Sequence, residues 1–157
     1  MREGKGKYLD KWQANALAAG LVLLLTGCAG NDGNGVSNVL QLTLQPTRDN
    51  AGSMGQAALA ARGEQTDLSV FISGVPMGVS RPLNLLTYIY AGSCSALSGK
   101  PVYALNQTAQ TLRVDGGWRL SKSIPATLQD LRAGGYSLVL STTPADRAVN
   151  IFCAEIK

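Results

Sequence analysis

Two short apolar runs constrain this chain more than anything else in its sequence: Leu85-Leu86-Thr87-Tyr88-Ile89-Tyr90-Ala91-Gly92-Ser93-Cys94 and Val149-Asn150-Ile151-Phe152-Cys153-Ala154-Glu155-Ile156. Both are rich in β-branched and aromatic side chains and read as strands. Each carries one cysteine. The chain has three, and the first, Cys28, closes an N-terminal apolar leader, so Cys94 and Cys153 are left with only each other within the chain. The simplest reading is a strand paired to a strand and tied by sulfur. The rival is two free, buried thiols.

The rest of the chain after the leader repeats the same local pattern. Leu40, Leu42 and Leu44 alternate with Gln41, Thr43 and Gln45 until Pro46, a half-buried strand by its period of two. Gly55 to Arg62 has helix-favouring alanines but a strand-like length between glycines, and is read as strand. Leu68, Val70 and Ile72 share one face of a third run, and Gly74 to Pro82 is an irregular connection with two prolines. Asp115-Gly116-Gly117 signals a hairpin into Trp118-Arg119-Leu120-Ser121-Lys122. Pro125 to Arg132 suits a short helical turn capped by Thr127 and stopped by Gly134, before a strand over Tyr136 to Thr142 and a turn at Pro144-Ala145-Asp146-Arg147. Seven or eight short strands with almost no helical periodicity predict an all-β sandwich or barrel over 39–157.

Residues 1–27 combine a basic start with a mostly apolar run from Ala14 to Leu25, about twelve residues, against the roughly twenty needed to span a bilayer. The run ends in Leu25-Thr26-Gly27-Cys28. This resembles the bacterial lipoprotein signal, in which the leader is cut before a cysteine that is then acylated. The resemblance implies a signal peptide over 1–27 and a lipidated Cys28 that holds the mature chain on a membrane, since several acyl chains anchor stably where one is marginal. With Ala rather than Asp at position 29, it implies the outer membrane of the bacterial cell envelope. Residues 28–38 are Gly/Asn-rich and read as a flexible tether, with a reach of roughly 17 Å for ten such residues.

The folded part resembles the copper/zinc superoxide dismutase-like β-sandwich and its envelope relatives. The likeness rests on Tyr88-Ile89-Tyr90-Ala91-Gly92-Ser93-Cys94, on Ile151-Phe152-Cys153-Ala154-Glu155-Ile156, and on Leu131 to Leu140. It implies a Greek-key, immunoglobulin-like arrangement of strands. It also implies a discarded metal site, because Tyr88 and Tyr90 stand where the family has two metal-binding histidines. A phenol with a pKa near 10 must lose a proton before it binds a metal, so neither copper nor zinc is expected and no cofactor is implied.

The absence of histidine excludes more chemistry than any other count. It removes the common proton shuttle, the Ser-His-Asp and Cys-His nucleophile pairs, and the commonest zinc and copper ligand. Residues 1–27 hold four of fourteen basic and two of ten acidic side chains, leaving ten against eight in the remainder. The basic residues there are scattered, which argues against nucleic acid as a partner. Asp115, Asp130, Asp146 and Glu155 could supply an acid/base pair only if folding brought two together. Asn106-Gln107-Thr108 matches a glycosylation acceptor, and Ser93 and Ser95 read as loop residues around Cys94. Two functions follow: a membrane-anchored, non-catalytic binding or scaffolding module for an envelope protein, or a histidine-free enzyme using a carboxylate pair. Replacing Cys28 by Ser is expected to leave the leader attached or release the chain from the membrane fraction. A Cys28→Ser chain that still fractionates as a mature acylated protein would exclude the lipoprotein signal.

Overall fold

The computed structural model describes residues 37–157; the leader 1–27, Cys28 and all but the last two residues of the tether over 28–38 lie outside them. The regular structure of the described chain is mostly antiparallel sheet. Its strands are β1 (Val39–Pro46), β2 (Gly55–Arg62), β3 (Gln65–Ile72), β4 (Leu85–Ser93), β5 (Ala96–Leu97), β6 (Tyr103–Ala104), β7 (Leu112–Val114), β8 (Gly117–Ile124), β9 (Tyr136–Thr142) and β10 (Asn150–Glu155). One short helix, α1 (Leu128–Ala133), precedes β9.

The strands hydrogen-bond in the order β5-β4-β9-β10-β1-β2-β3-β8-β7, with β6 also on β4. The path bends at β1. That strand pairs with β2 along Val39–Leu44, then passes its last two residues, Gln45 and Pro46, to Cys153 and Phe152 of β10. A strand that changes partner midway turns a corner between two sheets. One sheet is therefore β1-β2-β3-β8-β7, the other is built on β4, β9 and β10, and the arrangement is sandwich-like.

Period-two alternation explains how the two sheets share a core. From the first come Leu44, Ala57, Leu59, Leu68, Val70, Ile72, Leu120 and Ile124; from the second come Leu85, Ile89, Leu138, Leu140, Ile151, Phe152 and Ala154. Fully burying one such side chain contributes about 1.5–3 kcal/mol, so the inward face of each sheet decides its register. Phe152 is the bulkiest of the fully buried residues. Gly55 makes room for it, since a Cβ there would come within 2.9 Å of Leu44 Cβ and 3.1 Å of the Phe152 ring.

The reading of 55–62 as strand holds, because alanine's helix preference is overridden by eight ladder pairs with β3. The hairpin at Asp115-Gly116 joins β7 to β8, with Gly116 at φ 73°. Helix α1 begins where expected: Thr127 Oγ1 accepts the Asp130 N–H at 3.1 Å, and the chain leaves the helix at Gly134. The strand count is ten rather than seven or eight, because β5 and β6 are two-residue pairings against β4 that carry no periodic signal.

Cys94 and Cys153 are bonded to each other, with their Cα atoms 5.9 Å apart. The bridge joins the loop after β4 to β10, which are separated in the second sheet by β9. For its separation of 59 residues, chain-entropy reasoning assigns roughly 4 kcal/mol of stabilisation. Replacing both cysteines by Ala is expected to lower unfolding free energy in urea by about 3–4 kcal/mol, and reduction of the parent chain should do the same. A loss below about 1 kcal/mol would show that the ladders alone hold this region.

Candidate functional site

The positions that the superoxide dismutase-like resemblance assigns to metal ligands lie on β4. Leu85, Thr87 and Ile89 of that strand are buried in the core, so Tyr88 and Tyr90 project from its other face, each half-buried. Their ring centroids are 5.9 Å apart and the planes are inclined by 54°. Tyr88 lies between Ala104 of β6 and Val139 of β9, and Tyr90 opposite Ser137. Ser137 uses its hydroxyl to donate to the Gly92 carbonyl at 2.7 Å. The cross-strand neighbours thus offer methyls and a committed hydroxyl. Two phenols without an imidazole or carboxylate do not make a copper or zinc site, and no step is assigned to either metal. Among the described residues no three His, Cys, Asp or Glu side chains gather at metal-binding spacing.

Three of the four carboxylates considered from sequence have local partners. Asp130, in the first turn of α1, accepts the hydroxyl of the N-cap residue Thr127 at 2.7 Å. Glu155 pairs with Lys157, and that ammonium, through hydrogen bond and charge, holds its carboxyl below the usual range. Asp115 sits in the β7–β8 turn. Asp146 clamps two loops: its Oδ1 accepts the Ser80 hydroxyl at 2.7 Å and the Ser80 N–H at 2.9 Å, and its Oδ2 accepts the Thr143 hydroxyl at 3.1 Å. These bonds tie the irregular β3–β4 connection to the β9–β10 turn, where Arg147 and Ala148 take left-handed φ values of 73° and 50°. Asn106 is also engaged, its side-chain oxygen accepting the Thr87 N–H at 2.8 Å. Ser93 and Ser95 hydrogen-bond to each other at 3.0 Å.

An open groove of about 900 Å³ lies elsewhere. The ladders explain its shape. Ala58, Ser69 and Ser121 are cross-strand neighbours on β2, β3 and β8, and Ala60, Asp67 and Ser123 form the next row. Both rows alternate with the core residues, and their small side chains leave a trough. The segment Val102–Leu105 also lines it. Its one carboxylate, Asp67, is paired with Arg62 at 3.0 Å. Its amine, Lys122, reaches the Thr108 hydroxyl at 3.4 Å, and partial burial lowers its pKa. Sequence reading missed this groove, although strict alternation in three strands places the alanines and serines on one face. What could not be read was the register that aligns them.

No family model, curated protein or solved structure matches this chain.

The Asp146 clamp has a defined pH dependence. Hydrogen bonds from Ser80 come first among the causes that lower its pKa. A carboxyl depressed in the folded state contributes stability above its unfolded pKa of about 3.9 and loses it as pH falls through the lower folded value. Ser80→Ala is expected to move the Asp146 titration upward in a carboxyl NMR experiment. An unchanged midpoint would mean that Ser80 does not set it.

Proposed function

We propose that this chain is a membrane-anchored, non-catalytic binding module of the bacterial envelope, held by lipidated Cys28 and presenting its groove to an extended segment of a partner protein. The observation that carries it is the groove's chemistry: hydroxyls, methyls, amides and the Lys122 amine over about 900 Å³, with its carboxylate already paired to Arg62. Such a surface offers hydrogen bonds and shape but no free acid/base pair. A sheet under the groove and a short Gly/Asn-rich tether in the sequence suit recognition close to the lipid surface.

We further propose that the fold is the Greek-key sandwich of the superoxide dismutase-like class with its metal site lost. Three features support this reading. The pairings β3–β8, β4–β9 and β1–β10 join strands that are not consecutive in sequence, as a Greek key requires. The Cys94–Cys153 bridge joins the loop after β4 to the last strand. Two tyrosines replace the expected histidines at Tyr88 and Tyr90. Outer-membrane localisation follows from Ala29 after Cys28.

A photocrosslinking residue at Ser121, compared with one at Ala145 in the β9–β10 turn, tests the binding reading in the native envelope. Ser121 is expected to capture a discrete product that Ala145 does not, while the purified chain retains no copper after dialysis and consumes no superoxide catalytically. Equal capture at both positions, or copper-dependent loss of superoxide, would overturn it.

A further inference from the structure

The β7–β8 hairpin makes Arg113 and Trp118 direct cross-strand partners. The Arg113 guanidinium lies over the indole at 4.3 Å from its centroid. A second guanidinium, that of Arg81 from the β3–β4 connection, lies over the same ring at 4.9 Å. Arg81 is held in place by donating to the carbonyls of Val79 at 3.1 Å and Ser80 at 3.3 Å. Ser80 is in turn fixed by the Asp146 clamp. Each cation is attracted by the ring face, yet two like charges on one side chain repel. Among the described residues neither arginine has an ion-pair partner. The Asp146 carboxylate feels the Arg81 charge, which helps to lower its pKa after the larger effect of the Ser80 hydrogen bonds, and its oxygens accept hydrogen bonds from Ser80 and Thr143.

Beside the pair opens a cavity of about 320 Å³ lined by Arg81, Pro82, Leu83, Thr111, Arg113 and Trp118. It shares no residue with the large groove. Its volume is at the lower end of small-ligand sites, and its walls combine two cations with an indole and two apolar side chains. Leu83 is buried, and its carbonyl accepts the Thr111 hydroxyl at 2.9 Å, which ties these two lining residues together.

From these groups we infer that the cavity binds a phosphate monoester, with the guanidiniums of Arg81 and Arg113 on the phosphate oxygens and Trp118, Pro82 and Leu83 against the organic part. Two guanidiniums lining one cavity match a dianion, and a phosphate monoester approaches two negative charges above a second pKa of about 6. A carboxylate brings one charge and leaves half the repulsion in place. The planar guanidinium fork also fits phosphate oxygens in pairs. A soluble sugar phosphate and a lipid headgroup both present this chemistry.

The test uses the full chain carrying Trp12→Phe, so that Trp118 is the only indole. Its emission is titrated with glucose 6-phosphate, with glucuronate, and with phosphatidylcholine vesicles with and without phosphatidic acid. A saturable change with glucose 6-phosphate or with phosphatidic acid is expected, and whichever probe binds more tightly identifies the soluble or the lipid source. Binding should weaken at least about tenfold on Arg113→Ala or Arg81→Ala, and again at pH 5, where the group loses its second charge. Both arginines are exposed, and an unchanged thermal midpoint will show that the variants remain folded. Arg113→Lys, which keeps the charge but not the fork, should recover only part of the affinity. No saturable change with any probe, a change that survives both alanine substitutions, or equal affinity for glucuronate would overturn the assignment.

Discussion

Each of the two sheets has one face that water cannot stabilise, and among the described residues the two faces bury each other. The constraint acts through register: a one-residue slip of any strand would turn Leu59, Leu68 or Ile89 to solvent and bring a serine, an alanine or a tyrosine inward. The corner at β1 lets a single chain satisfy both sheets, because Leu44 still belongs to the first sheet while Gln45 and Pro46 already pair with the second. Phe152 fills the space inside that corner, and the missing side chain at Gly55 admits it. The disulfide acts on the same element from outside, holding β10 to the loop after β4 while the core holds it to β1.

Legibility followed the physics of each signal. Strands with strict alternation, such as 39–46 and 65–72, were readable because burial on one face writes itself into every second residue. The cap at Thr127 and the turn at Asp115-Gly116 were readable because local backbone geometry selects those residue types. The two-residue strands β5 and β6 were not, since their pairing is imposed by β4 and leaves no mark on Ala96, Leu97, Tyr103 or Ala104. Cys94 and Cys153 could be paired by elimination, whereas the groove depends on the alignment of three strands. That alignment is a tertiary property even though each small residue in it is visible in the sequence.

The arginine–tryptophan cluster lies between these extremes. Once a two-residue turn at Asp115-Gly116 is accepted, counting outward places Arg113 opposite Trp118. Half of the cluster was therefore available from the hairpin alone. Arg81 comes from an irregular connection with no periodicity, and its position depends on carbonyls of its own loop and on a carboxylate 65 residues away at Asp146. Scattered basic residues in a sequence are no guide to whether two of them share one ring.

The same reasoning separates what β4 and the cavity can each do. Tyr88 and Tyr90 are neutral donors and acceptors on a half-buried face, and their neighbours are methyls and a committed hydroxyl. Such a face can pack or hydrogen-bond, but it presents no charge to draw an ion from water. Arg81 and Arg113 are permanently charged, unpaired by acids among the described residues, and stacked where their hydration is reduced on one side. A chain without histidine has few ways to do chemistry near neutral pH, yet it loses nothing in its capacity to hold an anion. Guanidinium charge does not titrate in this range, and backbone bonds supply the positioning. Fixed charge and shape suffice for recognition, whereas proton transfer near neutral pH needs a group that titrates there.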